Sequence, residues 1–470
     1  MSQVPGAGVS ASSLYRRIWR WHFFAGLFCL PFIFLLALTG AAYLFNKQID
    51  DLVYADLLMR PPASVQATVP ASTLVANAVG AANGVARALY LPVDAQHAVQ
   101  VDVRQPDGAL RQVFLDPANG RVLGSMDESD RIMGLVKRIH SLSVAGDAGN
   151  VLIEIVAGWV IVLVITGAYL WWPRGRSQGV LAIRPGASGR VWWRDLHAVT
   201  GAFGAVVILF LALTGMPWSI VWGKQVNGWV NAHGLGTPAA MRGGGARSQL
   251  PMAALGEVPW SAEQRPLPAS SDEHAGHGEH AQHGQTATAQ VPASTGIGVD
   301  RAVALFAASG LDGGYRLMLP QGPQGVYSAV RLRSAEDSQR VVHLDQYSGK
   351  VLQDLGPGDA GAVARVTDWG ISVHQGIEYG WANQLLMLFG CLALMLSCVS
   401  GVVMWWKRRP AGQLAAPRRK EGERLAFGVL AIAIGLGLVF PLLGASMVVA
   451  ALADFLWGRI RKPGAALQAS

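Results

Sequence analysis

Long apolar runs constrain this chain more than any other feature. Residues 22–45, 149–172, 195–222, 382–406 and 425–453 each supply roughly 20 mostly apolar positions, the length a helix needs to cross hydrocarbon. With 51% hydrophobic and 14% charged residues, the chain is expected to be a membrane protein. The fifth run continues to Trp457 with Pro441 in its middle, so it is either one kinked helix or two short segments. Cys29, Cys391 and Cys398 all fall inside these runs and set no disulfide framework.

Arginine and lysine assign the sides of the membrane. Arg16, Arg17 and Arg20 precede the first run, Arg174, Arg176, Arg184, Arg190 and Arg194 separate the second and third, and Lys407, Arg408, Arg409, Arg418, Arg419 and Lys420 follow the fourth. Trp171, Trp172, Trp405 and Trp406 then anchor the inner interface. The expected layout has a cytoplasmic N-terminus (1–21), spans at 22–45, 149–172, 195–222, 382–406 and 425–457, cytoplasmic loops at 173–194 and 407–424, and a tail at 458–470. Segments 46–148 and 223–381 lie outside, in the periplasm of a Gram-negative cell, which makes this a multi-pass inner-membrane protein. The basic-then-apolar N-terminus resembles a signal peptide but lacks a small-residue cleavage site, so an uncleaved anchor is expected. The net charge of +8 follows from this topology, with no basic stripe that would suit nucleic acid.

An internal repeat runs through the spans. Trp21-His22, Gly26 and Thr39-Gly40 recur as Leu196-His197, Gly201 and Thr214-Gly215, always 175 positions later (22 to 197, 26 to 201, 39 to 214). His140, Gly146, Thr166-Gly167 and Trp171-Trp172 recur as His374, Gly380, Ser400-Gly401 and Trp405-Trp406, always 234 positions later (140 to 374, 146 to 380, 166 to 400). The extra length in the second half is mostly the Pro/Gly/Ala-rich stretch 234–295, which reads as a loose linker insertion. The outer segments repeat a smaller pattern: helical periodicity at Ala71–Ala82 and Val299–Ala308, strand candidates at Ala98–Arg104 and Val326–Arg333, and hairpin turns at Asp116-Pro-Ala-Asn-Gly120 and Asp345-Gln-Tyr-Ser-Gly349. Each segment therefore predicts a small α+β domain.

The W-H-x-x-x-G opening, the second-span histidine and the D-x-x-x-G-x-V-L hairpins resemble those of the PepSY-associated transmembrane proteins, over nearly the whole chain. Members of that family include inner-membrane ferrisiderophore reductases of the FoxB kind. The resemblance implies an internally duplicated, integral membrane α-helical bundle of about five spans with two small α+β PepSY-like extramembrane domains. It also implies a ferric siderophore, or another ferric chelate, as the electron acceptor.

Histidine is costly in or beside hydrocarbon, so His22, His140, His197 and His374 are functional candidates. By the topology above, His22 and His197 begin spans at the cytoplasmic side and His140 and His374 precede spans entered from outside, so the duplication brings each pair together. An electron-transfer haem needs two axial ligands that tolerate both oxidation states, and imidazole suits iron. These four residues are the expected axial ligands of one or two haems, which must be haem b because the chain has no C-x-x-C-H for covalent attachment. Gly26 and Gly201, one turn along, leave room for a flat macrocycle or for close helix packing. The competing view makes the histidines interfacial caps among lipid headgroups, repeated only because the chain is duplicated.

His274, His277, His280 and His283, flanked by Asp272, Glu273 and Glu279, form an H-x2-H-x2-H-x2-H tract that suits weak capture of copper, nickel, zinc or iron, or serves as a hydrophilic spacer. His97, His233 and His343 read as ordinary structural residues, and Glu154 and Asp454 as proton carriers or interfacial groups. No G-x-G-x-x-G follows a strand, no phosphate-binding loop occurs, and the cytoplasmic loops are too short for a flavin or nicotinamide domain. Electrons must then come from quinol or a separate reductase. The leading expectation is a haem-dependent ferrisiderophore reductase that releases iron by reduction. The alternatives are a non-catalytic regulator binding peptide or protein, and a metal or siderophore transporter.

Overall fold

The computed structural model describes residues 11–60, 68–94, 96–173, 179–236, 296–322, 325–331, 339–409 and 427–460. In chain order these form α1 (Ala11–Tyr43), α2 (Asn46–Val53), α3 (Ala55–Leu58), α4 (Ala71–Ala82), β1 (Val85–Leu91), β2 (Val99–Arg104), β3 (Leu110–Leu115) and β4 (Val122–Asp127). There follow α5 (Ile132–His140), α6 (Gly146–Trp171), α7 (Gly189–Gly215), α8 (Trp222–Ala232), α9 (Gly298–Ala308), β5 (Tyr315–Met318), β6 (Val326–Arg331), β7 (Arg340–Asp345) and β8 (Val351–Leu355). The chain closes with α10 (Ala362–His374), α11 (Gly380–Arg408), α12 (Phe427–Val439) and α13 (Pro441–Ile460). It divides into a helical unit (Met1–Leu44, Lys137–Gly228, Trp381–Ser470) and a sheet unit (Phe45–Val136, Trp229–Gly380).

In the helical unit, four of the apolar runs become helices long and apolar enough to cross a membrane: Leu14–Tyr43, Ser143–Trp171, Gly189–Trp218 and Gly380–Arg408. One apolar core joins them, with Cys29 and Ile33 from α1, Val156 and Val160 from α6, Ile208 from α7, and Ala393 and Cys398 from α11. α7 and α11 touch backbone to side chain: a Cβ at Gly204 would lie 2.9 Å from Ala393 and one at Gly390 2.6 Å from Val207, so neither position has room for a side chain. The fifth run is two shorter apolar helices, α12 and α13, broken at Phe440 and restarted by Pro441, whose missing N–H costs nothing in a first turn. α13 packs on α6 through Leu443 against Gly158 and a hydrogen bond from Trp159 Nε1 to Ser446 Oγ (3.0 Å). The chain between His140 and α6 turns sharply at Leu142 (φ 52°), and Gly149 makes way for the Leu142 carbonyl.

The sheet unit holds a single eight-stranded antiparallel sheet in the order β4-β3-β2-β1-β5-β6-β7-β8. The two outer segments, expected as separate small domains, are joined where β1 pairs with β5, Ala88 to Met318 through Leu91 to Tyr315. Each half therefore needs the other to satisfy the backbone groups of its inner edge. Alternate strand residues, among them Leu89, Val101, Val113, Leu317, Ala329 and Val342, meet Leu74 and Ala78 of α4 and Ala302 and Phe306 of α9 in one core. The β3–β4 and β7–β8 turns are built alike. Gly120 N–H donates to Asp116 O and Gly349 N–H to Asp345 O, both glycines have φ near +70°, and each aspartate carboxylate accepts from its own turn, Asp116 from the Ala118 N–H and Asp345 from the Tyr347 and Ser348 N–H groups.

Candidate functional site

α1 presents His22 and α7 presents His197 so that the two imidazoles face each other, with ring centroids 6.4 Å apart and planes at 84°. Each ring is held from behind by a different helix. His22 Nδ1 lies 2.9 Å from Thr166 Oγ1 on α6, and that hydroxyl already donates to Val162 O at 2.7 Å. With its proton committed, the Thr166 oxygen accepts and His22 Nδ1 carries the hydrogen. His197 Nδ1 lies 3.0 Å from the Ser397 carbonyl, which can only accept, and 3.1 Å from Ser400 Oγ, whose own proton goes to Leu396 O at 2.7 Å. In its neutral form each ring is thereby fixed as the Nδ1–H tautomer, which leaves the Nε2 lone pair available to a metal.

His140 repeats the arrangement at another place in the helical unit. Its Nδ1 sits 2.9 Å from Thr39 Oγ1, which donates to Leu35 O at 2.6 Å. Burial pushes the imidazole below its ordinary range. A glycine follows every one of these hydroxyl residues and gives the ring its room: a Cβ would stand 3.3 Å from His22 Cε1 at Gly167, 3.3 Å from His140 Cε1 at Gly40, and 3.8 Å from His197 Cε1 at Gly401. The seats are thus the very Thr-Gly and Ser-Gly pairs that mark the sequence repeat. Sequence reasoning used them only as repeat markers, although a hydroxyl residue followed by glycine recurring in step with a histidine was the signal. His374 belongs to the sheet unit, at the C-terminal end of α10.

The His22/His197 pair suits an iron porphyrin better than a bare ion. Two metal–imidazole bonds of about 2 Å, plus the two ring radii, span close to the observed separation. Among the described residues no group of three or more His, Cys, Asp or Glu side chains could hold a metal ion, and two imidazoles alone leave an ion short of ligands. An iron that brings four porphyrin nitrogens needs only the axial two. Space is present as well, since a Cβ at Gly201 would meet nothing within 4 Å and one at Gly26 only Leu163 at 3.9 Å. Close helix packing, one of the two uses expected for these glycines, is therefore not what the structure shows at either.

The remaining candidates have structural occupations. Glu154 is buried and accepts from the backbone N–H groups of Val221 (2.9 Å) and Trp222 (3.0 Å), where its charge caps α8. Asp454 pairs with Arg20 at 2.6 Å. His97 bonds Asp94 and Asp51, buried His343 bonds Ser328 Oγ at 2.8 Å, and His233 bonds the Trp229 carbonyl. His274, His277, His280 and His283 lie outside the described residues.

Residues 19–408 match the family described as the PepSY-associated TM region. No curated protein matches the chain.

Proposed function

This chain belongs to the PepSY-associated transmembrane family, and from that premise and the facing histidines we propose a haem b-containing inner-membrane reductase that passes electrons across the bilayer to a periplasmic acceptor. The observation that carries the reading is the His22/His197 pair, 6.4 Å between centroids, with each Nδ1 engaged so that each Nε2 is left to ligate. Haem bound there would supply a one-electron carrier that cycles between ferric and ferrous states. The chain's own part would be to hold the two ligands, one on α1 and one on α7, in fixed orientation. His140, seated on Thr39-Gly40 in the same manner, remains a further candidate ligand, as does its counterpart in the sequence repeat, His374.

The orientation proposed is the one the basic residues favour, with the N-terminus cytoplasmic and the sheet unit periplasmic. The matching hairpin turns and hydroxyl–glycine seats support an internal duplication with two PepSY-like halves, and α12 and α13 form a folded-back pair of short apolar helices. Electrons would enter from quinol or a separate reductase. The acceptor proposed is a ferric siderophore or related ferric chelate, because hard oxygen ligands hold ferrous iron far less tightly and reduction releases it.

Protein purified after expression with full haem supply should show Soret and α bands that sharpen on reduction and are lost together in His22→Ala and His197→Ala. Absence of those bands from the wild type, or their survival at full intensity in both variants, refutes the proposal. A peptide-binding regulator or a transporter would give the first of these results.

A further inference from the structure

We propose that Thr166 and Ser400 are positioning residues that orient the His22 and His197 rings and lower the midpoint potential of the haem they hold. This rests on the haem reading above and adds to it a role for two side chains that would not touch the cofactor. The Thr166 hydroxyl has given its proton to Val162 O and the Ser400 hydroxyl to Leu396 O, so each offers its imidazole only lone pairs. An acceptor on Nδ1–H draws that proton outward and enriches Nε2 in electron density. A more basic axial ligand favours ferric over ferrous iron, so the couple moves to lower potential.

The two seats are not equal. His22 Nδ1 has Thr166 Oγ1 as its described partner, at 2.9 Å, whereas His197 Nδ1 has the Ser397 carbonyl at 3.0 Å in addition to Ser400 Oγ at 3.1 Å. Deleting the hydroxyl at 166 strips the His22 ring of that acceptor, and deleting the one at 400 leaves His197 the carbonyl. A purely steric role for these hydroxyls would not produce that order. Thr39 holds His140 by the same geometry, which makes the device a repeated one.

The test compares Thr166→Val, Ser400→Ala and Thr166→Ser with the wild type by haem content and by potentiometric titration of the α band. Thr166→Val should raise the midpoint enough to change the ferrous-to-ferric ratio at fixed ambient potential about tenfold, about 59 mV for a one-electron couple. Ser400→Ala should shift it less in the same direction, and Thr166→Ser should restore the wild-type value. Loss of haem from Thr166→Val that Thr166→Ser restores also supports the proposal. Haem-replete Thr166→Val and Ser400→Ala proteins with the wild-type midpoint overturn it, as does a defect in Thr166→Val that serine does not repair. A wild type without a Soret band is a different failure, that of the haem reading itself.

Discussion

Replacing Glu154 by alanine removes a buried carboxylate that receives two backbone N–H groups at the start of α8, at 2.9 and 3.0 Å. Each hydrogen bond to a charged acceptor contributes about 1.5–3 kcal/mol. The amides of Val221 and Trp222 would be left without that partner, and α8 would lose the favourable charge at its N-terminus, worth about 0.3–1 kcal/mol. These terms sum to about 3–7 kcal/mol, and the range for breaking a buried charged contact sets the expected loss at the lower end, about 3–5 kcal/mol. For a unit of this size that corresponds to an apparent melting temperature lower by roughly 6–20 °C. Glu154→Gln keeps one carbonyl acceptor and turns an NH2 toward the second amide, so it should cost about half as much. Thermal unfolding in detergent micelles, followed by circular dichroism, measures both. A Glu154→Ala protein that melts within 2 °C of the wild type refutes the capping argument, and one of normal stability but greatly reduced turnover returns Glu154 to the proton-carrying role considered from sequence.

Two other outcomes are expected. In the sheet unit Arg316 on β5, in register with Tyr90 of β1, reaches diagonally over β1 to buried Asp102 on β2, so Arg316→Ala should destabilise by about 2–3 kcal/mol, less than a fully buried pair because the guanidinium is partly exposed, while Arg316→Met with Asp102→Leu should recover most of that in chemical denaturation. His140 has its folded-state pKa lowered by burial from an unfolded value near 6.5, so below that pH the unfolded chain binds more protons than the native one and stability falls as pH falls. Melting of haem-free protein should be flat above pH 7 and decline below about 6.5, and His140→Gln should flatten the decline; an identical acid slope in the two proteins argues against it.

Four apolar helices, the hairpin turns and the facing of His22 with His197 were legible in the sequence because each rests on a local or periodic signal: unbroken hydropathy, Asp and Gly at fixed offsets, and a constant repeat interval. The β1–β5 joint was not, because edge pairing between strands more than 200 residues apart leaves no mark on either strand. The break of the last apolar run was half legible: Pro441 announced an interruption, but the contact of Gly437 with Gly444 that folds α12 back on α13 is a tertiary event. Glu154 looked functional because a carboxylate within an apolar run is rare. Its partners are backbone amides, and no residue pattern advertises those.

The joint between the two half-sheets also dictates an order of assembly. β1 is complete when Leu91 has been made, but its partner β5 begins only at Tyr315, after two further membrane-length apolar helices and their connections. At a synthesis rate of roughly 5–20 residues per second, the first half waits on the order of 10–45 s with a bare strand edge exposed. Such an edge is a template for pairing with the wrong chain. Production of this protein should therefore be limited less by insertion of its helices than by how well that waiting strand is guarded until its mate arrives.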